Sequence, residues 1–300
     1  MTRSRGSILT VVVAFAALGA AVGLQIVRDR LYPRSDALQT EILYVRSGPV
    51  LDRLALSYDA LLADVYWIRA IQYYGGNRLA PVSRRHHYEL LYPMLDIATT
   101  LDPYFNIAYR FGAIFLSEGY PGGPARPDQA VALLRKGIAA RPGKWQYYMD
   151  IGFVYYWHLR DFKAAAEWIQ RASMQEGSPS WLKPLSASML VRGQDRASAR
   201  FLWRQIAQSE EEWLRRSAAR ALTQLDALDQ IDRLQPLVNR AAQPGEPFSW
   251  QSVVRHGALP GIPTDPTGAP YEIDALTGRI TVSQSSPLYP MPDQTTPELK

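Results

Sequence analysis

Small and bulky apolar residues return at a regular interval along the middle of the chain. The interval is about 34 residues, the length of two short helices and their connection. Within each interval the apolar residues follow helical spacing, with polar residues between them. The pattern predicts antiparallel helical hairpins that cover one another's apolar faces. The recurring positions are Leu91, Leu95, Ala98 and Pro103, then Ala130, Leu134, Gly137 and Pro142, then Ala165, Ile169 and Ala172, and finally Ala199, Trp203 and Ile206.

Breaker residues and caps divide this region into predicted helices. Gly75 and Gly76 are expected to end the first helix, and Asp128 is expected to cap the helix that follows it. Gly152 and Ala165 are expected where two helices cross closely, because larger side chains there would force the helices apart. The predicted helices span residues 51–74, 88–101, 107–118, 129–140, 145–159, 162–175, 181–192, 195–208, 211–225 and 228–242.

These positions resemble the signature of the tetratricopeptide repeat (TPR) family. Tyr148, Gly152 and Tyr155 match the first helix of that repeat. The matches to other helices are Ala165, Ile169 and Ala172, then Ala130, Leu134, Gly137 and Pro142, and also Tyr109, Ala113 and Leu116. The resemblance covers residues 50–225 and implies an all-α solenoid of stacked antiparallel hairpins. It departs from the family at Gly177, which replaces the terminal proline, and in long connections after Tyr74 and Glu118.

The resemblance also implies a binding groove, since the first helices of TPR hairpins line a concave surface that holds peptides. Family members that bind a C-terminal carboxylate place several Lys, Asn and Arg residues in this groove. Among the groove residues of this chain, only Arg110 is of that kind. Two occupants therefore stay open: an apolar helix or strand of a partner protein, or the chain's own C-terminal segment. The groove residues implied are Trp67, Ile71, Tyr74, Arg110, Ile114, Gln146, Met149, Phe153 and Tyr156.

An uncharged apolar segment, residues 8–27, precedes the repeats. At 1.5 Å per residue a helix of this length spans about 30 Å, the thickness of a bilayer's hydrocarbon core. It is interpreted as a retained transmembrane anchor, with a cleaved signal peptide and a buried soluble helix as the alternatives. The predicted organisation is a basic tail at 1–7, the transmembrane helix at 8–27, a tether at 28–48, the repeat domain at 49–242 and a Pro/Gly-rich segment at 243–300.

Turn residues dominate the C-terminal segment and predict a small β-hairpin. Tyr271–Asp274 and Arg279–Ser283 are the expected strands, and Ala275–Gly278 is the expected turn. Because an isolated hairpin is marginally stable in water, it is expected to dock on the helices. The string Asp265-Pro-Thr-Gly-Ala-Pro-Tyr271 is similar to one near the end of secretion-system pseudopilins.

Charge and composition narrow the function. The net charge is +5, and five arginines with a single aspartate lie within residues 1–35. The excess positive charge therefore flanks the apolar segment, and it does not form the basic face that nucleic-acid binding requires. Arginines lie on both sides of that segment, so the positive-inside rule does not determine its orientation in the membrane. The short preceding tail favours a large domain outside the cytoplasmic membrane.

Candidate chemistry for an enzyme is missing from the sequence. Cysteine is absent, which excludes disulfides and thiolate sites. His86 and His87 adjoin Arg84 and Arg85, which disfavour a metal cation, so a solvated loop is expected there. Asp64 is expected to pair with Arg69 or Arg110.

The sequence predicts no catalytic residue, metal, cofactor or small-molecule substrate. It predicts a membrane-anchored scaffold that binds a protein partner in bacterial envelope or secretion/pilus-type assembly. A cytoplasm-facing adaptor with the same fold is the alternative, and an enzyme subunit is a more remote one.

Overall fold

The structure is a computed structural model that describes residues 16–24, 27, 48–81, 85–242 and 246–292. The chain divides into two compact units, Met1–Ser47 and Gly48–Lys300. In the first unit, residues 16–24 are helical and exposed. Most of the remaining predicted 8–27 segment, the tail at 1–7 and the tether up to residue 47 lie outside the described residues. Among the helices that are described, none combines the length and hydrophobicity needed to cross a membrane.

The second unit is mostly α-helical, as predicted. Its helices are α1 (Gly48–Leu54), α2 (Asp59–Arg78), α3 (Leu91–Leu101), α4 (Asn106–Ser117), α5 (Pro127–Ala140), α6 (Trp145–Val154), α7 (Phe162–Ser173), α8 (Leu182–Arg192), α9 (Arg196–Ile206), α10 (Glu212–Ala241) and α11 (Trp250–Arg255), with strands β1 (Tyr271–Ile273) and β2 (Ile280–Val282). A π-helical turn, Tyr155–Leu159, extends α6.

Consecutive helices pack in pairs along this unit. α2 packs against α3, α4 against α5, α6 against α7, and α8 against both α7 and α9. The predicted close crossing is confirmed: a Cβ atom at Gly152 would lie 2.8 Å from Cδ1 of Ile169 and 3.2 Å from the carbonyl oxygen of Ala165. A Cβ at Gly112 would lie 2.9 Å from the side chains of Leu95 and Leu133. Helices therefore approach closely at Gly112 and Gly152, where a larger side chain would not fit.

Two helices begin at aspartate caps and a third does not. The backbone N–H of Ala164 donates to Asp161 at 2.9 Å, and that of Ser198 donates to Asp195 at 3.1 Å. The prediction of a cap at Asp128 was wrong, since α5 begins one residue earlier at Pro127. Proline suits the first helical position because its φ angle is already helical and its missing N–H needs no partner there.

The first predicted helix divides into two in the structure. α1 and α2 are separated by a turn in which Leu56 and Ser57 have positive φ angles of 47° and 74°. The predicted stop at Gly75–Gly76 was also wrong, because α2 continues to Arg78. Side-chain contacts support the last turn: the Asn77 amide donates to the Tyr73 carbonyl at 3.0 Å, and Arg78 pairs with Glu118 at 3.4 Å.

The two helices predicted at 211–225 and 228–242 form the single helix α10. Residues 226–227 include neither Gly nor Pro, and Ala227 and Leu228 continue the buried face. Ion pairs with α9 also cross this stretch: Arg200 contacts Asp226 at 2.9 Å and Asp229 at 2.8 Å. The helix therefore runs on through the point where the repeat spacing predicted a break.

The predicted hairpin and its docking on the helices are both present. β1 and β2 are antiparallel, with Tyr271 opposite Val282. Gln235 of α10 donates to the Gly278 carbonyl at 2.8 Å and accepts from the Ile280 N–H at 3.0 Å. The Trp250 indole donates to the Tyr271 carbonyl at 2.6 Å. Residues 246–292 thus pack on α10, while residues 243–245 and 293–300 lie outside the described residues.

Candidate partner-binding surface

Aromatic side chains join the first helices of the first two pairs. The Trp67 ring of α2 stacks on Phe115 of α4 with centroids 6.0 Å apart, and it meets Phe105 edge-on at the same distance. Tyr74 stacks on Phe115 at 4.3 Å. The predicted residues Trp67 and Tyr74 therefore lie together at the junction of α2 and α4. Tyr74 is buried there, so it supports the surface from beneath.

Apolar side chains beside this junction are uncovered. Ile71 is 40% exposed and Ile114 is 56% exposed, as a binding surface requires. The sequence analysis missed four neighbours of similar exposure, although all four share a helical face with a predicted residue or with one another. We call the combined set the apolar face: Val65, Ile68 and Ile71 on α2, and Ile107, Phe111 and Ile114 on α4.

The two halves of the apolar face adjoin each other. Ile71 lies one turn from Trp67, and Phe111 lies one turn from Phe115, whose rings stack together. The Phe111 and Phe115 centroids are themselves 6.4 Å apart. Contiguous exposed apolar surface of this kind marks a site of protein or membrane interaction more often than isolated exposed residues do.

Arg110 forms a bidentate ion pair with Asp150 of α6. Its Nε and Nη2 atoms donate to the two carboxylate oxygens at 2.6 and 3.0 Å. The expected buried pair of Asp64 with Arg69 or Arg110 was wrong, since Asp64 is exposed and Arg110 pairs with Asp150 instead. Burial raises the pKa of Asp150, and the hydrogen bonds from Arg110 oppose that rise. Because the Arg110 guanidinium is already committed, it is not available to hold a partner's carboxylate.

The third part of the predicted groove is occupied by packing within the chain. Met149 is buried, and Phe153 and Tyr156 pack against the core formed by the later helices. The Tyr156 ring meets Phe162 edge-on, with centroids 5.3 Å apart. The Arg192 guanidinium lies 5.4 Å from the centroid of the same Tyr156 ring. Gln146 is half-buried. The nine predicted residues thus form no continuous open groove, and the open part belongs to α2 and α4.

The C-terminal segment leaves the apolar face uncovered. Its described hydrogen bonds to the preceding helices are with α10: Gln224 and Gln235 donate to carbonyls of the segment, and the Tyr271 hydroxyl donates to Gln230. Phe111 is 50% exposed with residues 246–292 in place. Of the two occupants left open by the sequence, the described residues therefore favour a partner at this surface.

The histidine loop differs from its prediction. His86 is buried, with Nδ1 2.6 Å from the Asn77 carbonyl oxygen, so it belongs to the packing of α2 rather than to a solvated loop. His87 remains partly exposed, and its backbone N–H donates to the Asn77 side chain at 3.0 Å. Within the part of the chain that the structure describes, no group of three His, Asp or Glu side chains is arranged to hold a metal ion.

No protein-family model, curated protein or solved structure matches the chain.

Proposed function

We propose that the protein is a membrane-anchored scaffold that binds an apolar helix of a partner protein on the apolar face. The observation that carries this proposal is the exposure of six large aliphatic and aromatic side chains on two adjoining helices. Because these side chains are already about half-buried, covering the rest of one on association contributes about 1 kcal/mol. All six side chains of the face are apolar, which suits a helix packed by its apolar stripe.

The scaffold is proposed to be a TPR-type solenoid. Support comes from the paired packing of consecutive helices and from Gly112 and Gly152, which lie at close helix contacts. Repeat arrays offer extended surfaces for partners rather than enclosed catalytic sites. Neither a catalytic residue nor a cofactor is part of the proposal.

Anchoring and location are proposed from the sequence. Residues 8–27 are proposed to span the membrane once, with the large unit on the periplasmic side of a bacterial envelope. The turn string Asp265–Tyr271 supports a role in secretion or pilus-type assembly. A cytoplasm-facing adaptor with the same fold is the second candidate, because arginines flank the apolar segment on both sides. Protease accessibility of the C-terminus in intact cells and in permeabilised cells separates the two locations.

Site-specific photocrosslinking tests the partner surface. A photoreactive phenylalanine at position 111, in the full-length protein in its host membranes, is expected to give one discrete adduct with another protein. The matched control is position 276, because Leu276 in the turn of the hairpin is also exposed, at 90%. The Phe111→Ser substitution is expected to abolish co-purification of that same adduct protein and to leave melting nearly unchanged. Equal adducts from both positions, or none from position 111, would contradict the proposal.

A further inference from the structure

A groove between α7 and α9 is a second candidate site, separate from the apolar face. It holds two cavities of about 640 and about 410 Å³. Gln170, Ser186 and Leu202 line both, so the cavities adjoin. Ser186 of α8 is buried and donates to the Ala166 carbonyl at 2.9 Å, which closes the groove at its base. The larger cavity has the volume of a typical ligand site.

Amide side chains with spare hydrogen-bonding capacity line the larger cavity. They belong to Gln170, Gln205 and Gln208, and among the described residues none of these three amides has a hydrogen-bond partner. Each amide offers two N–H donors and one carbonyl acceptor. That set matches the alternating N–H and C=O groups of an extended peptide backbone.

The protein already uses glutamines in this way elsewhere. Gln224 of α10 donates to the carbonyls of Leu288 and Pro290 at 2.8 and 3.0 Å. Gln235, on the same helix, bonds both a carbonyl and an N–H of the hairpin. Glutamines on the helical surface thus hold non-helical backbone of the C-terminal segment within this molecule. The groove between α7 and α9 presents the same chemistry without an occupant among the described residues.

Charge defines the occupant further. Lys183 is the one charged side chain that lines the larger cavity, and within the described part of the chain it has no ion pair. The acidic side chains of the groove, Glu167 and Asp195, line the smaller cavity together with Lys163. One end of the groove is therefore positive and suits a carboxylate.

We infer that the groove between α7 and α9 binds an extended peptide segment of a partner protein. The amides of Gln170, Gln205 and Gln208 bond the peptide backbone, and Lys183 pairs with an acidic side chain of the peptide. Leu202 and Ile206 cover the peptide's apolar side chains. The interaction is independent of the apolar face on α2 and α4.

The test uses a displayed library of random peptides selected on the full-length protein. The Leu202→Trp variant, which places a larger side chain where the two cavities adjoin, serves for counter-selection. Peptides containing Asp or Glu are expected to be enriched on the wild-type protein over this variant. For a synthesised enriched peptide, Lys183→Gln is expected to weaken binding about fivefold, the effect of a solvated ion pair. Replacing the peptide's acidic residue by its amide should give the same loss, with no further loss on Lys183→Gln.

Two further variants keep the test decisive. Gln205 is exposed, so Gln205→Ala is expected to weaken peptide binding severalfold with an unchanged melting temperature. This variant keeps the test valid even if Leu202→Trp perturbs folding. Phe111→Ser should leave peptide binding unchanged, which separates this groove from the proposed partner surface. The inference is overturned if no peptide is enriched on the wild-type protein over Leu202→Trp. It is also overturned if Lys183→Gln and Gln205→Ala both bind the enriched peptide as tightly as the wild-type protein does. It is also overturned if peptides bind only after removal of residues 293–300, since the groove then belongs to this chain's own residues.

Discussion

The ion pair between Arg110 and Asp150 shows how one contact joins sequence positions that no local pattern connects. The two residues are 40 positions apart, on helices α4 and α6. The Asp150 side chain is only 16% exposed, and burial raises its pKa against the opposing hydrogen bonds from Arg110. The carboxylate is therefore tolerated in the folded chain because the guanidinium faces it in bidentate geometry.

Removing the arginine alone should destabilise the fold in a pH-dependent manner. Arg110→Leu leaves the Asp150 carboxylate unpaired, which we expect to cost about 2 kcal/mol at neutral pH, less than for a fully buried pair. The folded-state pKa of Asp150 rises further in this variant, while the unfolded chain ionises near the ordinary value of 3.8. Stability is thus retained below that value and lost as the pH rises towards the folded-state pKa.

Urea unfolding across this pH range measures the effect. The matched control is the double variant Arg110→Leu with Asp150→Leu, which removes both charges and should recover much of the loss at neutral pH. A single variant that is equally destabilised at acid and neutral pH would mean that Asp150 does not titrate as argued.

Among the helices, α2 shows that glycine does not end a helix when tertiary contacts hold its last turn. The N–H of Leu79 donates to the Gly75 carbonyl at 3.0 Å, so the helix passes through both glycines. Residues outside the helix contact this last turn: His86 Nδ1 lies 2.6 Å from the Asn77 carbonyl oxygen, and Arg78 pairs with Glu118 at 3.4 Å. Because glycine lacks a stabilising side chain, the chain keeps an unfavourable residue in the interior of a helix at this point.

Substitution at Gly76 tests the position of that helix end. A Cβ atom there meets nothing within 4 Å, so Gly76→Ala is expected to stabilise the protein by about 0.5–1 kcal/mol. Gly177 is the matched control: it too has open space around it, but its φ is +67°. Alanine at Gly177 should destabilise by about 1 kcal/mol because it must adopt a left-handed conformation. Thermal melting compares the two, and destabilisation by both would contradict the extended α2.

Across the second unit, the C-terminal segment completes the core of the later helices. Trp250, Tyr271, Ile280, Leu288 and Met291 are buried in one cluster with residues of α7 to α10. The segment is therefore part of the folded unit, although its composition resembles that of a loop. Its polar anchors are the glutamines of α10, which satisfy backbone groups that packing removes from water.

Ending the chain after Arg240 should therefore lower its stability substantially. The loss of five large buried side chains is expected to cost about 3 kcal/mol or more, and it exposes apolar surface on α10. Gln224→Leu is the milder comparison, since it keeps the segment but leaves the Leu288 carbonyl without its donor, at a cost of about 1–2 kcal/mol. Circular-dichroism melting of both variants checks this. An unchanged melting temperature after truncation would contradict the role assigned to the segment.

The features that were predictable from the sequence depend on interactions within a few turns of chain. Apolar spacing predicted the paired helices, small residues predicted the crossing at Gly152, and turn residues predicted the hairpin from Tyr271 to Val282. Helix ends were less predictable, because the end of α2 is contacted by His86 and Glu118, and the continuation of α10 past Leu225 is supported by Arg200 of α9.

The candidate site was predictable only in part, for a related reason. The resemblance to the TPR family implied Ile71 and Ile114, which are exposed, but it gave equal weight to Met149 and Phe153, which later helices cover. The sequence also offered Asp64 as a partner for Arg110, whereas the folded chain brings Asp150 to that position. Spacing along one helix specifies which residues share a face. Whether that face is covered depends on distant residues, and their positions follow from how all the helices pack together.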